Sequence, residues 1–439
     1  MTTMPLTPTL ADPAPSRARW LLALMIFGCF FLATQNLGSP LEWRDDGSAD
    51  IASRVDRVAG GQATRQIGFL ALAGFGTLGL LLPSKQGRRE LVWPVLYPLV
   101  AIVAWAYLSM LWSDNRGLTA RRLVVFTAMW TSIAALVKHF RPRDLAFVVA
   151  FYGIVTLSLG LYAEWIHRGQ AGSQVWRFSG TGSPNHAGLN AFLLALAMLH
   201  GLGRRRFFGE GTSWRWLVLL GAMGILWMTR SRTALAITVM SLGVAAALMT
   251  RPGRAVAVAT VSGIAIAGVI FLFHTGVLGP VWEAALMGRD SANIRTMTGR
   301  TDIWAFTLQE ATGDVARLVV GHGHDTFWSP ERTQAVSQKT AFPISEAHNA
   351  YLESWMNLGI IGLFAWPMAV GGSALVWLSR GRTETGVWSA DAAMAIALSL
   401  AALVHGFAES AFTHAQFATF ALFGFCAFAA IRPAEQEAT

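Results

Sequence analysis

Charge is what this sequence has least of. Only 13% of its 439 residues are Asp, Glu, Lys or Arg, against 54% hydrophobic, a balance that excludes an ordinary soluble chain. Cysteine is nearly absent: Cys29 and Cys426 both lie inside apolar runs, so no disulfide framework or cysteine-based metal site is implied. No Cys/His cluster has zinc-ligand spacing and no glycine-rich loop ends in Lys-Ser or Lys-Thr, which argues against ATP hydrolysis. Acidic residues are outnumbered, 25 against 34 basic ones, for a net charge of +9. The basic residues sit in short loops between apolar runs, where membrane orientation explains them better than nucleic acid does.

What is present is a succession of apolar runs. Residues 1–16 are Pro- and Thr-rich and read as disordered. A first run from Trp20 to Thr34 follows Arg17 and Arg19; without a clean cleavage site after it, it reads as a retained helix. Further runs fall near 67–82, 93–112, 120–138, 145–164, 186–202, 214–229, 233–250, 253–274, 349–379, 389–409 and 412–431. The expected fold is all-α: a polytopic integral membrane protein of about twelve transmembrane helices. It divides into a cytoplasmic tail (1–19), helices one to nine (20–274), a large periplasmic segment with short helices (275–347), helices ten to twelve (348–432) and a cytoplasmic tail (433–439). The orientation comes from short basic loops that share one side: Arg17/Arg19, Lys85/Arg88/Arg89, Lys138/Arg141/Arg143, Arg204–Arg206/Arg215, Arg251/Arg254, Arg380/Arg382 and Arg432.

The stretch from Glu346 to Gly362 carries the chemistry. At 100° per residue His348, Tyr351, Trp355, Gly359 and Gly362 share one helical stripe about 80° wide. The two glycines then admit a neighbouring helix. Ser345 is a candidate N-cap, which places His348 in the first turn, where the helix dipole favours the neutral imidazole of a general base. The blander alternative is that His348 caps an interfacial helix. Arg230 and Arg232 lie in a tight turn on the side where short loops should lack positive charge; they either snorkel to the headgroups or meet an anionic substrate. A helix is expected from Thr301 to Thr312, with Ile303, Trp304, Thr307, Leu308 and Ala311 on one face and Gly313 as its stop. Arg295 and Arg300 precede it. Pro280–Met287 is another helical pattern. His322 and His324 hint weakly at metal, and Gly180–His186 reads as a turn plus N-cap. His405, Glu409 and His414 straddle the last outer turn, where they line a polar cavity or merely end a span.

His348-Asn349, nine residues, then Gly359-x-x-Gly362 resembles the signature of the bacterial O-antigen ligases, polytopic inner-membrane glycosyltransferases. Thr229-Arg-Ser-Arg-Thr233 and Gly299-Arg-Thr-Asp-Ile-Trp304 agree with it, as does the many-span layout. The resemblance implies transfer of O-antigen glycan from an undecaprenyl-pyrophosphate donor to lipid A–core oligosaccharide at the periplasmic face, inverting and with no metal or cofactor. It makes His348 the catalytic base and Arg232 and Arg300 the diphosphate ligands. Asn349, Tyr351, Arg230, Arg295 and Arg177 are further positioning candidates. An O-antigen polymerase and a protein O-oligosaccharyltransferase share this chemistry. A lipid-linked sugar flippase is the reading of a different class; it calls for internal repeats and midplane charges, and none is evident.

Overall fold

The computed structural model describes residues 17–34, 63–84, 89–166, 177–203, 213–250, 300–340 and 344–433. Its helices are α1 (Arg17–Thr34), α2 (Ala63–Leu81), α3 (Trp93–Leu108), α4 (Arg116–His139), α5 (Pro142–Ile166), α6 (Pro184–Gly203), α7 (Ser213–Thr229) and α8 (Arg232–Leu248). There follow α9 (Arg300–Thr312), α10 (Val315–Val320), α11 (Pro330–Thr340), α12 (Ala350–Arg380), α13 (Ala390–His405) and α14 (Phe417–Ala429). Among the described residues six helical stretches are long and apolar enough to cross a membrane: α2, α3 with its short continuation to Leu111, α4, α5, α6 and α12. The chain thus has an all-α membrane-protein fold. The runs expected at 253–274 and 280–287 lie outside the described residues.

Small residues draw the helices together where lipid offers no hydrophobic drive. A Cβ on Gly76 of α2 would stand 2.6 Å from the Ser132 amide of α4, and Ser132 Oγ donates to the Leu72 carbonyl at 2.8 Å. The inner helices α6, α13 and α14 are buried on nearly every face, as expected for helices apolar all round. Leucines and aromatics on α2, α3, α7 and α12 remain exposed on the rim.

Described segments that flank the basic loops contact one another. Strand β1 (Arg89–Leu91) pairs antiparallel with β2 (Ile431–Pro433), Glu90 opposite Arg432. Lys138 Nζ caps α2 through the Leu80 and Leu82 carbonyls, at 2.6 and 2.8 Å. Arg215 donates to the Gly201 carbonyl, and the Trp388 amide donates to Leu248 O. Each contact joins segments that the charge pattern had assigned to the same side.

The opposite end departs from the expected spans. α13 stops at His405 and α14 starts at Phe417, so residues 406–416 form a folded turn between shortened helices. Glu409, Ser410 and His414 in this turn find partners on other segments and have no reason to continue a helix. α9 ends before Gly313, as expected, with Ile303, Thr307 and Ala311 buried. Leu308, assigned to the same face, is exposed.

Candidate functional site

The site begins at the start of α12. Asn349, not Ser345, is the N-cap: its side-chain oxygen accepts from the Tyr351 and Leu352 amides at 3.0 and 3.1 Å. Its own amide donates to Ser410 Oγ at 3.0 Å and its Nδ2 to the Phe407 carbonyl at 3.3 Å. The Ala350 amide donates to Gly406 O at 2.7 Å. Asn349 therefore ties the helix start to the 406–410 turn, which gives the asparagine a positioning role. His348 precedes the cap and lies outside the first turn, with a left-handed φ of 48°.

That backbone state costs on the order of 1–3 kcal/mol for a non-glycine residue. Among the described residues only Arg230, Asp325 and His348 adopt it without being glycine. Two of these were singled out from the sequence, and the third joins the site below.

At this position His348 Nδ1 lies 2.9 Å from Glu409 Oε2 and 3.6 Å from Glu346 Oε1. Among the described residues its Nε2 has no protein partner. Burial alone lowers the pKa of His348, but the Glu346 and Glu409 carboxylates outweigh it and raise the value above that of an ordinary histidine. The expected neutral imidazole is thereby corrected. The helix dipole argument assumed a first-turn histidine, whereas here two carboxylates stabilise the imidazolium. The ring becomes a stronger base whose free form appears at higher pH. Burial raises the Glu409 pKa, and the opposing effect of His348 and Arg300 brings it below the ordinary carboxylate value.

Glu409 is the hub. It also accepts from Asn185 Nδ2 at 3.2 Å and from Arg300 Nη2 at 2.5 Å, while Arg300 Nη1 donates to the Ala408 carbonyl. Arg300 opens α9, and Trp304 one turn on donates to the Ala347 carbonyl at 2.9 Å, seating α9 beside His348. Arg300 is thus not a free cation, and only part of its fork is available to a ligand. One turn along α6 from Asn185, a Cβ on Gly188 would touch Ser231 and Ala234 at 3.2 and 3.0 Å. This close approach brings the Thr229–Arg232 turn to the same end. Arg177 Nε donates to the Thr229 carbonyl at 3.1 Å, so Arg177, Arg230 and Arg232 surround one turn. Arg295 lies outside the described residues.

Other expectations resolve differently. The Tyr351 hydroxyl donates to Leu403 O at 2.8 Å and its ring packs on Phe407 and Trp366, holding α12 to α13. The shared stripe of His348 and the glycines does not form. Gly359 breaks α12 with φ 64°, and a Cβ there would meet the Val319 carbonyl at 2.1 Å; the glycine admits the α10 terminus. His322 and His324 do not act as a pair. His322 joins Asp114, Arg317 and Arg332 in an ion-pair network. The His324 ring packs on Phe126, and burial pushes its pKa down to about 4. A different trio, Glu346, His348 and Glu409, offers ligand atoms within 4.8 Å of one another. Glu409 Oε2 is already bonded to His348 Nδ1, and Glu409 Oε1 accepts from Arg300.

Three site residues received too little weight in the sequence. Glu346 stands in the His348 stretch but had no role. Glu409 and His414 were noted as lining a polar cavity or ending a span, without a role in the chemistry. The available signal was three ionisable residues within ten positions, His405 to His414, in an otherwise apolar segment.

The fold and the site together define a polytopic membrane protein with a histidine, carboxylate and arginine cluster at one end of its bundle. Residues 216–366 match the family model described as O-antigen ligase. The match covers the motifs at 229–233, 299–304 and 348–362 and supports the resemblance they carry; this stretch is similar to the O-antigen ligase family. No curated protein matches the chain. The match stops short of the 406–416 turn and of Asn185, both of which complete the site.

Proposed function

We propose that this protein is an O-antigen ligase, transferring O-antigen glycan from undecaprenyl pyrophosphate to lipid A–core oligosaccharide at the periplasmic face of the inner membrane. The observation that carries this reading is the placement of His348, between two carboxylates and beside Arg300, at the end opposite the basic loops. The acceptor hydroxyl gives its proton to His348 Nε2 as its oxygen bonds the anomeric carbon. The bond from that carbon to the pyrophosphate oxygen breaks, and its electron pair leaves with the lipid pyrophosphate. Attack from the face opposite the leaving group inverts the centre. Arg232 and Arg300 balance the leaving charge through planar forks that match phosphate oxygens, with Arg230, Arg177 and Arg295 in support.

A lipid pyrophosphate leaves readily once its charge is balanced, so the reading calls for no acid on that side and no metal. Chelation is expected to leave transfer unchanged. Loss of activity restored by a divalent cation would instead make Glu346, His348 and Glu409 its ligands.

The topology that goes with this function has twelve spans, both termini cytoplasmic and 275–347 periplasmic. Cysteines introduced near 290 and 335 are expected to react with an impermeant reagent from outside, and those near 88 and 205 to stay protected. The reverse pattern overturns the orientation and the periplasmic site with it.

Cells lacking the protein test the acceptor. A ligase defect leaves O-antigen polymer on the lipid carrier and lipid A–core uncapped. A polymerase defect leaves single repeats attached, a protein-glycosylation defect leaves lipopolysaccharide unchanged, and a flippase defect traps donor on the cytoplasmic side. Any of the last three outcomes replaces the ligase reading.

A further inference from the structure

The charged residues at the site do not stop at His348. Glu346 reaches past it: one oxygen lies 3.6 Å from His348 Nδ1, and the other lies 3.2 Å from His414 Nε2 as an ion pair. His414 Nδ1 in turn lies 3.7 Å from Asp325, which pairs with Arg122 at 2.9 Å. The result is a row of alternating charge, from Arg122 through Asp325, His414 and Glu346 to His348 and Glu409, ending at Arg300. Five segments distant in sequence contribute to it: α4, α9, the 321–326 turn, the residues before α12 and the 406–416 turn. The left-handed residues Asp325 and His348 stand towards its two ends.

We propose that Glu346 and His414 are positioning residues that set the basicity of His348: Glu346 raises it, and His414 restrains Glu346. The proposal rests on His348 being the general base. Two carboxylates facing one imidazole without compensation would hold it protonated and idle near neutral pH. A cation on the far side of Glu346 divides that carboxylate's field. Burial disfavours the charged form of His414, yet Glu346, Glu353 and Asp325 around it bring its pKa up to about 9, so it carries charge across the neutral range. The groups that face the row from outside it are Glu353 at His414, His186 of α6 at Glu346 and Glu409, and Arg65 and His324 at Asp325.

The test is the acidic limb of the pH–rate profile, measured between about pH 6 and pH 8, where an imidazole titrates. It uses full-length protein in membranes. Glu346→Gln removes a negative charge beside His348, so the limb is expected to move to lower pH. His414→Gln removes a positive charge behind Glu346, so the limb is expected to move to higher pH. His414→Lys keeps the cation and is expected to leave the limb where the wild type has it. Opposite shifts from two neighbours are not produced by loosened packing, which lowers the rate without moving the limb. Unmoved limbs in both Gln variants, or equal shifts in Gln and Lys at 414, overturn the proposal. Should Glu346→Gln be too slow to profile, the His414 pair decides alone. His348→Ala run alongside separates the two ideas: if it still transfers glycan, the base assignment itself has failed.

Discussion

His348→Ala is expected to lower glycan transfer by about a hundred- to ten-thousand-fold, the contribution of a positioned general base. Binding of the lipid-linked donor should be retained. The imidazole is held at Nδ1 by Glu409 and leaves Nε2 for the acceptor proton. Its removal leaves the helix cap in place, because the cap is Asn349. The wild-type rate should fall as pH drops through the pKa of His348. The two carboxylates raise that pKa, so the limb lies above the position of an ordinary histidine. A loss of only a few-fold, or a profile without an acidic limb, makes His348 a structural residue.

Arg300→Lys and Arg232→Lys should each cost about ten- to a hundredfold in transfer despite keeping the charge, the scale of one or two lost charge-assisted hydrogen bonds. Arg300 also donates to Glu409 and to the Ala408 carbonyl, so its replacement loosens the 406–410 turn. The conserved positive charge should leave the acidic limb in place, which separates a lost fork from an altered field. Wild-type rates in both variants remove the diphosphate role.

The helices of the bundle were readable because a span is a local property: length and apolar content within one segment. The runs now seen as α1 to α8 and α12 to α14 were found that way, as was α9 with its Gly313 stop. Hydropathy smoothed over the 406–416 turn, because Phe407, Ala408, Ala411, Phe412 and Ala415 keep the window apolar. The partnership of His348 with Glu409 crosses 61 positions and leaves no local signal. The protonation argument failed for the same reason: it used the nearest helix and could not see a carboxylate delivered from another turn. Asn349 was noticed as half of a motif, yet its work as cap and clamp depends on Ser410 and Phe407.

The most direct test is reconstitution. Purified protein in liposomes is given undecaprenyl-pyrophosphate-linked glycan and lipid A–core, with single-repeat donor and a Ser/Thr peptide as competing acceptors. The account predicts glycan joined to lipid A–core, released undecaprenyl pyrophosphate in equal amount, and neither with the His348→Ala protein. Donor carried across the bilayer with no glycosidic bond formed, or core capping undiminished in His348→Ala, would contradict it.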